Sequence, residues 1–237
     1  MLQNKQTNLV TLLLFFVGNC LAQGFINLNF EAANVSGYSP GDMNVPTNAA
    51  IPGWTAHYFQ SGQGVQPAAE IWYDTLSIGG AVISVNDSNT SPSFAPLQGK
   101  FSVLLFGAVF ERSATISQRG LVPTSTQSLR MQISTDGYTL PIGQFIVTLD
   151  GQVISMVPLA TFPAYTLFGG DISSFENQPA TLEITAAGVP PGELGNPIEL
   201  DDIVFSSQPI PEPTEISLLG LGMLALMNFR ASTYRKK

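Results

Sequence analysis

Residues 128–134 read Ser-Leu-Arg-Met-Gln-Ile-Ser, and this regular alternation of polar and apolar side chains decides the fold class. Successive side chains of a β-strand point to opposite faces, so the three apolar residues share one face and the polar residues share the other. The same period of two recurs in residues 144–150 and 180–186. Strands with one apolar face are typical of antiparallel sheets that pack one side against a core.

Further segments rich in β-branched and aromatic residues are also expected to be strands. They are residues 25–31, 69–74, 81–86, 101–106, 113–117, 164–168 and 198–206. Asp150-Gly151 joins two apolar runs and predicts a hairpin turn, because both positions of such a turn favour a positive φ. About ten short strands with frequent turns predict an all-β protein, a two-sheet antiparallel β-sandwich with jelly-roll topology.

The composition excludes several kinds of site. Of the 237 residues, 44% are hydrophobic, so the chain has enough apolar side chains to form a core. The net charge of −8 argues against nucleic acid as a partner, because an acidic chain repels phosphate. The single cysteine excludes an internal disulfide framework and a cysteine-based zinc site, and the single histidine excludes a site that needs two imidazoles.

Residues 1–22 have the pattern of a secretory signal peptide. Lys5 precedes an apolar run at 9–17, which is too short to span a bilayer, and small Ala22 precedes the expected cleavage site. Signal peptidase would then remove the only cysteine, Cys20, with the leader. An alternative makes Cys20 a lipoprotein anchor, but the residue before it is asparagine, where a small apolar residue is expected.

The C-terminal segment, residues 209–237, combines three elements in a fixed order. Pro211-Glu212-Pro213 is followed by a mostly apolar stretch at 216–229 and by a basic tail. A helix over that stretch would be about 21 Å long, short of the roughly 30 Å hydrocarbon core. The segment therefore predicts a short hydrophobic helix that anchors the chain transiently, with its basic end in the cytoplasm. The alternative is a buried C-terminal helix with a solvated tail, which the prolines and basic cluster disfavour.

These three elements resemble the PEP-CTERM sorting signal of Gram-negative bacteria. The resemblance implies that an exosortase-type membrane protease recognises Pro211, Glu212 and Pro213 and removes the tail near them. It further implies an exported protein that reaches the cell surface or extracellular matrix after transient anchoring in the inner membrane. The expected organisation is a signal peptide at 1–22, a β-sandwich domain at 23–208 and a sorting signal at 209–237.

The final strand, 198–206, suggests a metal site. Asp201 and Asp202 are adjacent and point to opposite faces, so one of them shares the core face with apolar residues. A carboxylate buried without a partner costs several kcal/mol, and a calcium ion, which takes six to eight oxygen ligands, would compensate it. Alternatively, both aspartates lie at the sheet rim, hydrated or bonded to backbone N–H groups.

A second resemblance covers the body of the chain. Asn29-Phe30-Glu31, the segment Ile-Pro-Gly-Trp at 51–54 and the segment Glu-Leu-Asp-Asp-Ile-Val-Phe at 199–205 occur in this order. Their order is similar to that in galactose-binding-like jelly rolls, which include several carbohydrate-binding modules. The resemblance implies a structural calcium ion that links the first and last strands, with Glu31 and Asp201 or Asp202 as the matching ligands.

Aromatic residues are the candidates for sugar stacking, because the C–H face of a sugar packs on an aromatic ring. Trp54, Tyr58 and Trp72 are the candidates, and each could instead be a core aromatic, the more common role. Trp72 and Tyr73 are neighbours on an expected strand, so they face opposite ways. His57 has no nucleophile motif beside it and is expected in a surface or loop position.

No catalytic residue and no bound cofactor other than calcium is predicted. The sequence therefore predicts a secreted, non-catalytic protein of the cell surface or extracellular matrix, with polysaccharides or other matrix components as its ligands. Two alternatives stay open: an extracellular glycan hydrolase or lyase on a jelly-roll scaffold, and a purely structural matrix or adhesion protein.

Overall fold

The structure is a computed structural model that describes residues 23–75, 80–87, 95–135, 145–191, 193, 195 and 197–211. In these residues no helix is long and apolar enough to cross a membrane. The expected signal peptide at 1–22 and the expected hydrophobic helix at 216–229 lie outside the described residues. The division into domains at residues 22 and 208 therefore stays a prediction.

The described residues contain short strands and very little helix. The strands are β1 (Val45–Pro46), β2 (Thr55–Gln60), β3 (Gly64–Pro67), β4 (Glu70–Tyr73), β5 (Val82–Asp87), β6 (Phe101–Phe106), β7 (Ser113–Leu121), β8 (Ser128–Ser134), β9 (Phe145–Leu149), β10 (Gln152–Val153), β11 (Val157–Thr161), β12 (Thr166–Asp171), β13 (Pro179–Ala186) and β14 (Pro197–Ser206). A one-turn helix, α1 (Thr47–Ala50), and a 3-10 helix, Ser173–Phe175, complete the secondary structure of this part of the chain.

The strands form two sheets, which confirms the predicted all-β sandwich. One sheet has eight strands in the order β1-β4-β5-β6-β14-β8-β12-β11, and the other has six in the order β10-β9-β13-β7-β2-β3. Eight of these strands have the order β6-β14-β8-β12 in one sheet and β7-β13-β9-β10 in the other. Among these eight, the last strand in the chain, β14, lies beside the first, β6. That is the arrangement of a jelly roll. Among the named strands the pairing is antiparallel except between β4 and β5.

The core lies between the sheets and follows the alternation seen in the sequence. In β13 every second residue is buried, from Ala180 to Ala186, and the residues between them are half-buried. The central strands β5 and β6 differ, because both of their faces are buried. A second apolar cluster on the outer face of these strands explains this difference. It consists of Val82, Leu104, Phe106 and Ala108, with Trp72 packed against it.

The strand registers place both described ends of the chain at one end of the sandwich. Gly24 bridges to Leu121 at the end of β7, and Ser206 at the end of β14 pairs with Ser128 at the start of β8. We call this the terminal end. The opposite, distal end holds the connections 107–112 and 162–165 and the residues 187–191 that follow β13. There Pro197 at the start of β14 pairs with the last residue of β6.

One predicted strand is wrong. Residues 25–31 contain turns instead of a ladder, and Asn27 and Phe30 have positive φ values of 50° and 57°. The Asn27 side chain accepts a hydrogen bond from the Ala32 backbone N–H at 2.9 Å, so the segment satisfies its polar groups locally. Phe30 is nevertheless fully buried, which accounts for the apolar pattern that suggested a strand.

Candidate functional site

Glu31 ties the N-terminal segment to the loop that precedes β6. Its Oε1 accepts hydrogen bonds from the backbone N–H groups of Lys100 at 2.7 Å and Phe101 at 3.0 Å. Gly99 has a positive φ of 64°, and a Cβ there would lie 2.2 Å from the same Glu31 oxygen. The loop therefore needs glycine at this position to bring its N–H groups onto the carboxylate.

Asp201 is buried near Glu31, with only 1% of its surface exposed. Its Oδ2 accepts a hydrogen bond from the Gln98 N–H at 3.0 Å, and its Oδ1 accepts one from the Asp202 N–H at 2.7 Å. Burial raises the pKa of Asp201 to about 7, and the negative charges of Asp202 and Glu31 add to the rise. The two hydrogen bonds oppose this change, because they stabilise the carboxylate form.

Asp202 lies at an irregularity in β14. The register with β8 shifts between Asp201 and Val204, and Asp202 has a positive φ of 46°. Its Oδ2 accepts a hydrogen bond from Gln132 Nε2 at 3.1 Å, and the same amide nitrogen donates to Gln98 Oε1 at 2.9 Å. Gln132 Oε1 is buried and has no hydrogen-bond partner among the described residues. A buried acceptor oxygen thus belongs to the residue that donates to Asp202 and pairs with Asp201 across the strands.

The donor chemistry of this cluster suits calcium. Glu31, Asp201, Asp202 and the buried Gln132 Oε1 are oxygen donors, and Ca²⁺ binds carboxylate and amide oxygens. When bound, the ion would neutralise the carboxylates and link the N-terminal segment to the last strand. Within the described ranges, no group of three or more His, Cys, Asp or Glu side chains is placed to hold a metal. The calcium site stays a prediction.

A further buried acid was not singled out from the sequence. Glu199 lies two residues before Asp201 on β14, is 5% exposed, and accepts hydrogen bonds from Ser102 Oγ and from Asn86 Nδ2. The period of two already places Glu199 and Asp201 on one face of β14. What the sequence did not reveal is that this outer face of the sheet is also buried.

Two of the three aromatic candidates point into the protein. Trp54 is 4% exposed, its Nε1–H donates to the Asn27 carbonyl at 3.0 Å, and its ring lies 5.7 Å from that of Phe30. The Tyr58 hydroxyl accepts a hydrogen bond from the Ile83 N–H at 3.2 Å, and burial raises the pKa of Tyr58 to about 12. These contacts are those of core aromatics.

Trp72 and Tyr73 face opposite ways, as expected for neighbours on a strand. Tyr73 is buried in the core, where its hydroxyl donates to Asp87 Oδ2 at 2.8 Å. Trp72 is half-buried and packs on the second apolar cluster, on the outer face of the sheet. His57 is half-buried in β2, opposite Pro67 of β3 and Thr115 of β7, so it lies in a strand and not in a loop.

A cavity of about 210 Å³ lies at the distal end. It is lined by residues 133–135 at the end of β8, by the turn 162–165 between β11 and β12, and by Thr166 and Phe168 of β12. The rings of Phe162 and Tyr165 lie 4.9 Å apart and are tilted by 36°. The sequence did not single out these rings, because neither lies in a strand with a clear period of two.

The chain leaves the body at the terminal end along a fixed path. The Gln208 carbonyl accepts hydrogen bonds from Ser128 Oγ at 2.7 Å and from Arg130 Nη2 at 3.3 Å. Arg130 Nη2 also donates to the Pro209 carbonyl at 3.4 Å, and Pro211 is exposed two residues further on. Glu212 and Pro213, the rest of the predicted sorting motif, lie outside the described residues.

The chain matches no protein-family model, and no curated protein shows significant similarity to it. The resemblances to a sorting signal and to carbohydrate-binding jelly rolls therefore rest on the residues quoted above.

Proposed function

We propose that this chain is an exported, non-catalytic β-sandwich that is sorted through its C-terminal segment and binds polysaccharide at the cell surface or in the extracellular matrix. The observation that carries the proposal is the placement of the chain ends. Gly24 and Ser206 both lie at the terminal end, so a signal at either terminus extends from the same side. The distal loops are then free to meet a ligand, and loops on a rigid sandwich commonly bind ligands.

The path of the C-terminal segment supports recognition by an exosortase-type membrane protease. Contacts from Ser128 and Arg130 hold Gln208 and Pro209 against the body, and Pro211 is exposed just beyond them. A protease needs an extended, accessible segment, and proline favours an extended backbone. The exposure of Pro211 therefore agrees with access of a protease to the start of the motif.

A non-catalytic function agrees with the hydrogen bonds that the carboxylates of exposed Glu31 and buried Asp201 accept. Glu31 and Asp201 each accept two backbone N–H groups, which is a structural use of these side chains. One observation favours the enzyme alternative: Asp201 has a pKa of about 7 and shares a strand face with Glu199. Paired carboxylates can cleave glycosides, but both side chains are at least 95% buried, out of reach of a polymer.

The sorting part of the proposal is tested by changing Glu212. We expect Glu212→Ala to leave the full-length precursor in the membrane fraction, because the protease would lose the charged centre of its motif. The matched control is Glu215→Ala, which removes the same charge three residues further on and should be processed normally. Intact mass and cell fractionation give the readout. Normal processing of Glu212→Ala, or equal loss in Glu215→Ala, would contradict the proposal.

The binding part is tested with the purified full-length chain on immobilised polysaccharides. We expect retention on at least one neutral polymer among dextran, xylan, galactan and mannan, without release of new reducing ends. Release of reducing ends that is lost in Glu199→Gln would favour the glycan hydrolase. Self-association with no retention on any polymer would favour a purely structural matrix protein.

A further inference from the structure

We infer that the cavity at the distal end binds one uncharged sugar ring of a polysaccharide, with the Phe162–Tyr165 pair as its stacking surface. This inference rests on the proposed binding function and assigns it to residues that the sequence did not single out. It is carried by the shape of the turn, the chemistry of the lining and the position of the cavity in the fold.

The turn between β11 and β12 holds the two rings in place. The Phe162 backbone N–H donates to the Tyr165 carbonyl at 2.8 Å, which closes the turn, and Pro163 restricts the backbone between them. The rings of Phe162 and Tyr165 are 4.9 Å apart, and Phe162 is 45% exposed. A pair of aromatic rings on a closed turn is already ordered before a ligand arrives, which lowers the entropy cost of binding.

The floor of the cavity is rigid for a different reason. Phe168 packs against the main core and meets the ring of Phe145 edge-on, with centroids 6.1 Å apart. Ile133, on the neighbouring strand β8, belongs to the same core and is 2% exposed. The exposed turn therefore lies next to side chains that are fixed by close packing in the core of the sandwich.

The lining chemistry indicates a neutral, hydroxyl-rich ligand. Among the residues that the structure describes, none that lines the cavity is charged, although the whole chain carries a net charge of −8. The lining includes three hydroxyl-bearing residues, Ser134, Thr135 and Thr166, and the aromatic residues of the turn, Phe162 and Tyr165. A sugar ring has both complements: an apolar C–H face and a rim of hydroxyl groups that donate and accept hydrogen bonds.

The size and location of the cavity agree with one ring of a long polymer. Its volume of about 210 Å³ is below the roughly 300–1,000 Å³ of sites that enclose drug-sized ligands. The exposed ring of Phe162 forms one side, so the rest of a polymer could continue into solvent. The distal end also lies opposite the terminal end, so a chain held by its C-terminus would present this cavity outward.

The test compares variants of the full-length chain for binding to the neutral polysaccharides named above and to alginate as an acidic control. We expect Phe162→Ala and Tyr165→Ala each to weaken binding about tenfold, since tenfold corresponds to the loss of one good stacking contact. Ala164→Arg, at an exposed turn position, should weaken binding similarly by placing a long charged side chain at the mouth. The matched control is Phe110→Ala, which removes a 58% exposed phenylalanine from another distal loop and should leave binding unchanged.

Each outcome decides a separate question. If the unchanged chain binds no polysaccharide, the proposed function fails, and this inference fails with it. If the chain binds but Phe162→Ala, Tyr165→Ala and Ala164→Arg bind equally well, the site is wrong and the binding function stands. Equal loss in Phe110→Ala, or tighter binding to alginate than to every neutral polymer, would also overturn the site. Melting temperatures within a few degrees of the unchanged chain show that a variant is folded.

Discussion

Replacing Trp54 by alanine is expected to lower the free energy of unfolding by about 3–5 kcal/mol, the usual cost of removing a large buried aromatic side chain. The indole is 4% exposed and packs against Phe30, and its N–H donates to the Asn27 carbonyl. Alanine would leave a cavity and would remove the shorter of two hydrogen bonds that the Asn27 carbonyl accepts, the other being from the Phe30 N–H at 3.4 Å. Urea denaturation of the full-length chain, followed by far-ultraviolet circular dichroism, measures the change.

Two variants separate packing from the hydrogen bond. Trp54→Phe keeps an aromatic ring against Phe30 and loses the N–H donor, so we expect a loss of about 1–2 kcal/mol. Trp72→Ala removes the same side chain from a half-buried position and should cost less than Trp54→Ala. A loss below about 1 kcal/mol for Trp54→Ala would show that this indole is not a core residue, and would return it to the candidates for sugar stacking.

The fold was predictable from the sequence wherever a strand buries one face or both. β8 was predicted at its observed limits because its apolar residues alternate, and β6 because six consecutive residues avoid charge, glycine and proline. β11 was missed because Pro158 interrupts it, and proline is tolerated there since β11 is an edge strand. β2 was missed because its half-exposed and exposed residues follow no strict period.

The candidate site was predictable only in part. Asp201 and Asp202 were singled out because one of two adjacent aspartates was expected on the core face. The buried Asp201 lies instead on the outer face with Glu199, and the irregularity at Asp202 breaks the alternation that this expectation assumed. Gln98 and Gln132 were not predicted, because both are far from the two aspartates in the sequence. Gln98 contacts Asp201 from a loop, and Gln132 contacts Asp202 from the neighbouring strand. The contact between the rings of Phe162 and Tyr165 depends on the hydrogen bond that closes their turn, and no local sequence pattern predicts that turn.

Stability is expected to fall as the pH rises through about 7, because of Asp201. Burial raises the pKa of this carboxyl from 3.8 in the unfolded chain to about 7 in the folded one. Between those values the folded state binds more protons than the unfolded state, so the free energy of unfolding decreases with increasing pH. The contribution is complete below about pH 4 and is lost above about pH 7, and it amounts to at most about 4 kcal/mol.

The measurement is the difference in unfolding free energy between the unchanged chain and Asp201→Asn, taken from pH 5 to pH 8.5. Asparagine cannot ionise, so the part of the slope due to Asp201 should vanish, whatever stability is lost at its two backbone N–H contacts. Asp171→Asn, at an exposed position, is the matched control and should keep the slope of the unchanged chain. Equal slopes in all three chains would show that Asp201 ionises as it does in water.

The same titration in the presence of millimolar calcium distinguishes two ways in which the negative charge of Asp201 could be stabilised. If Gln98 and Asp202 N–H groups are its only compensation, calcium leaves the pH dependence unchanged. If an ion binds Asp201 with Glu31, Asp202 and the buried Gln132 Oε1, the ionised carboxylate becomes the favoured form. Calcium would then stabilise the unchanged chain most at pH 8, where the proton no longer competes. That gain should disappear in Asp201→Asn and shrink in Gln132→Leu, and its persistence in both would exclude calcium binding at this cluster.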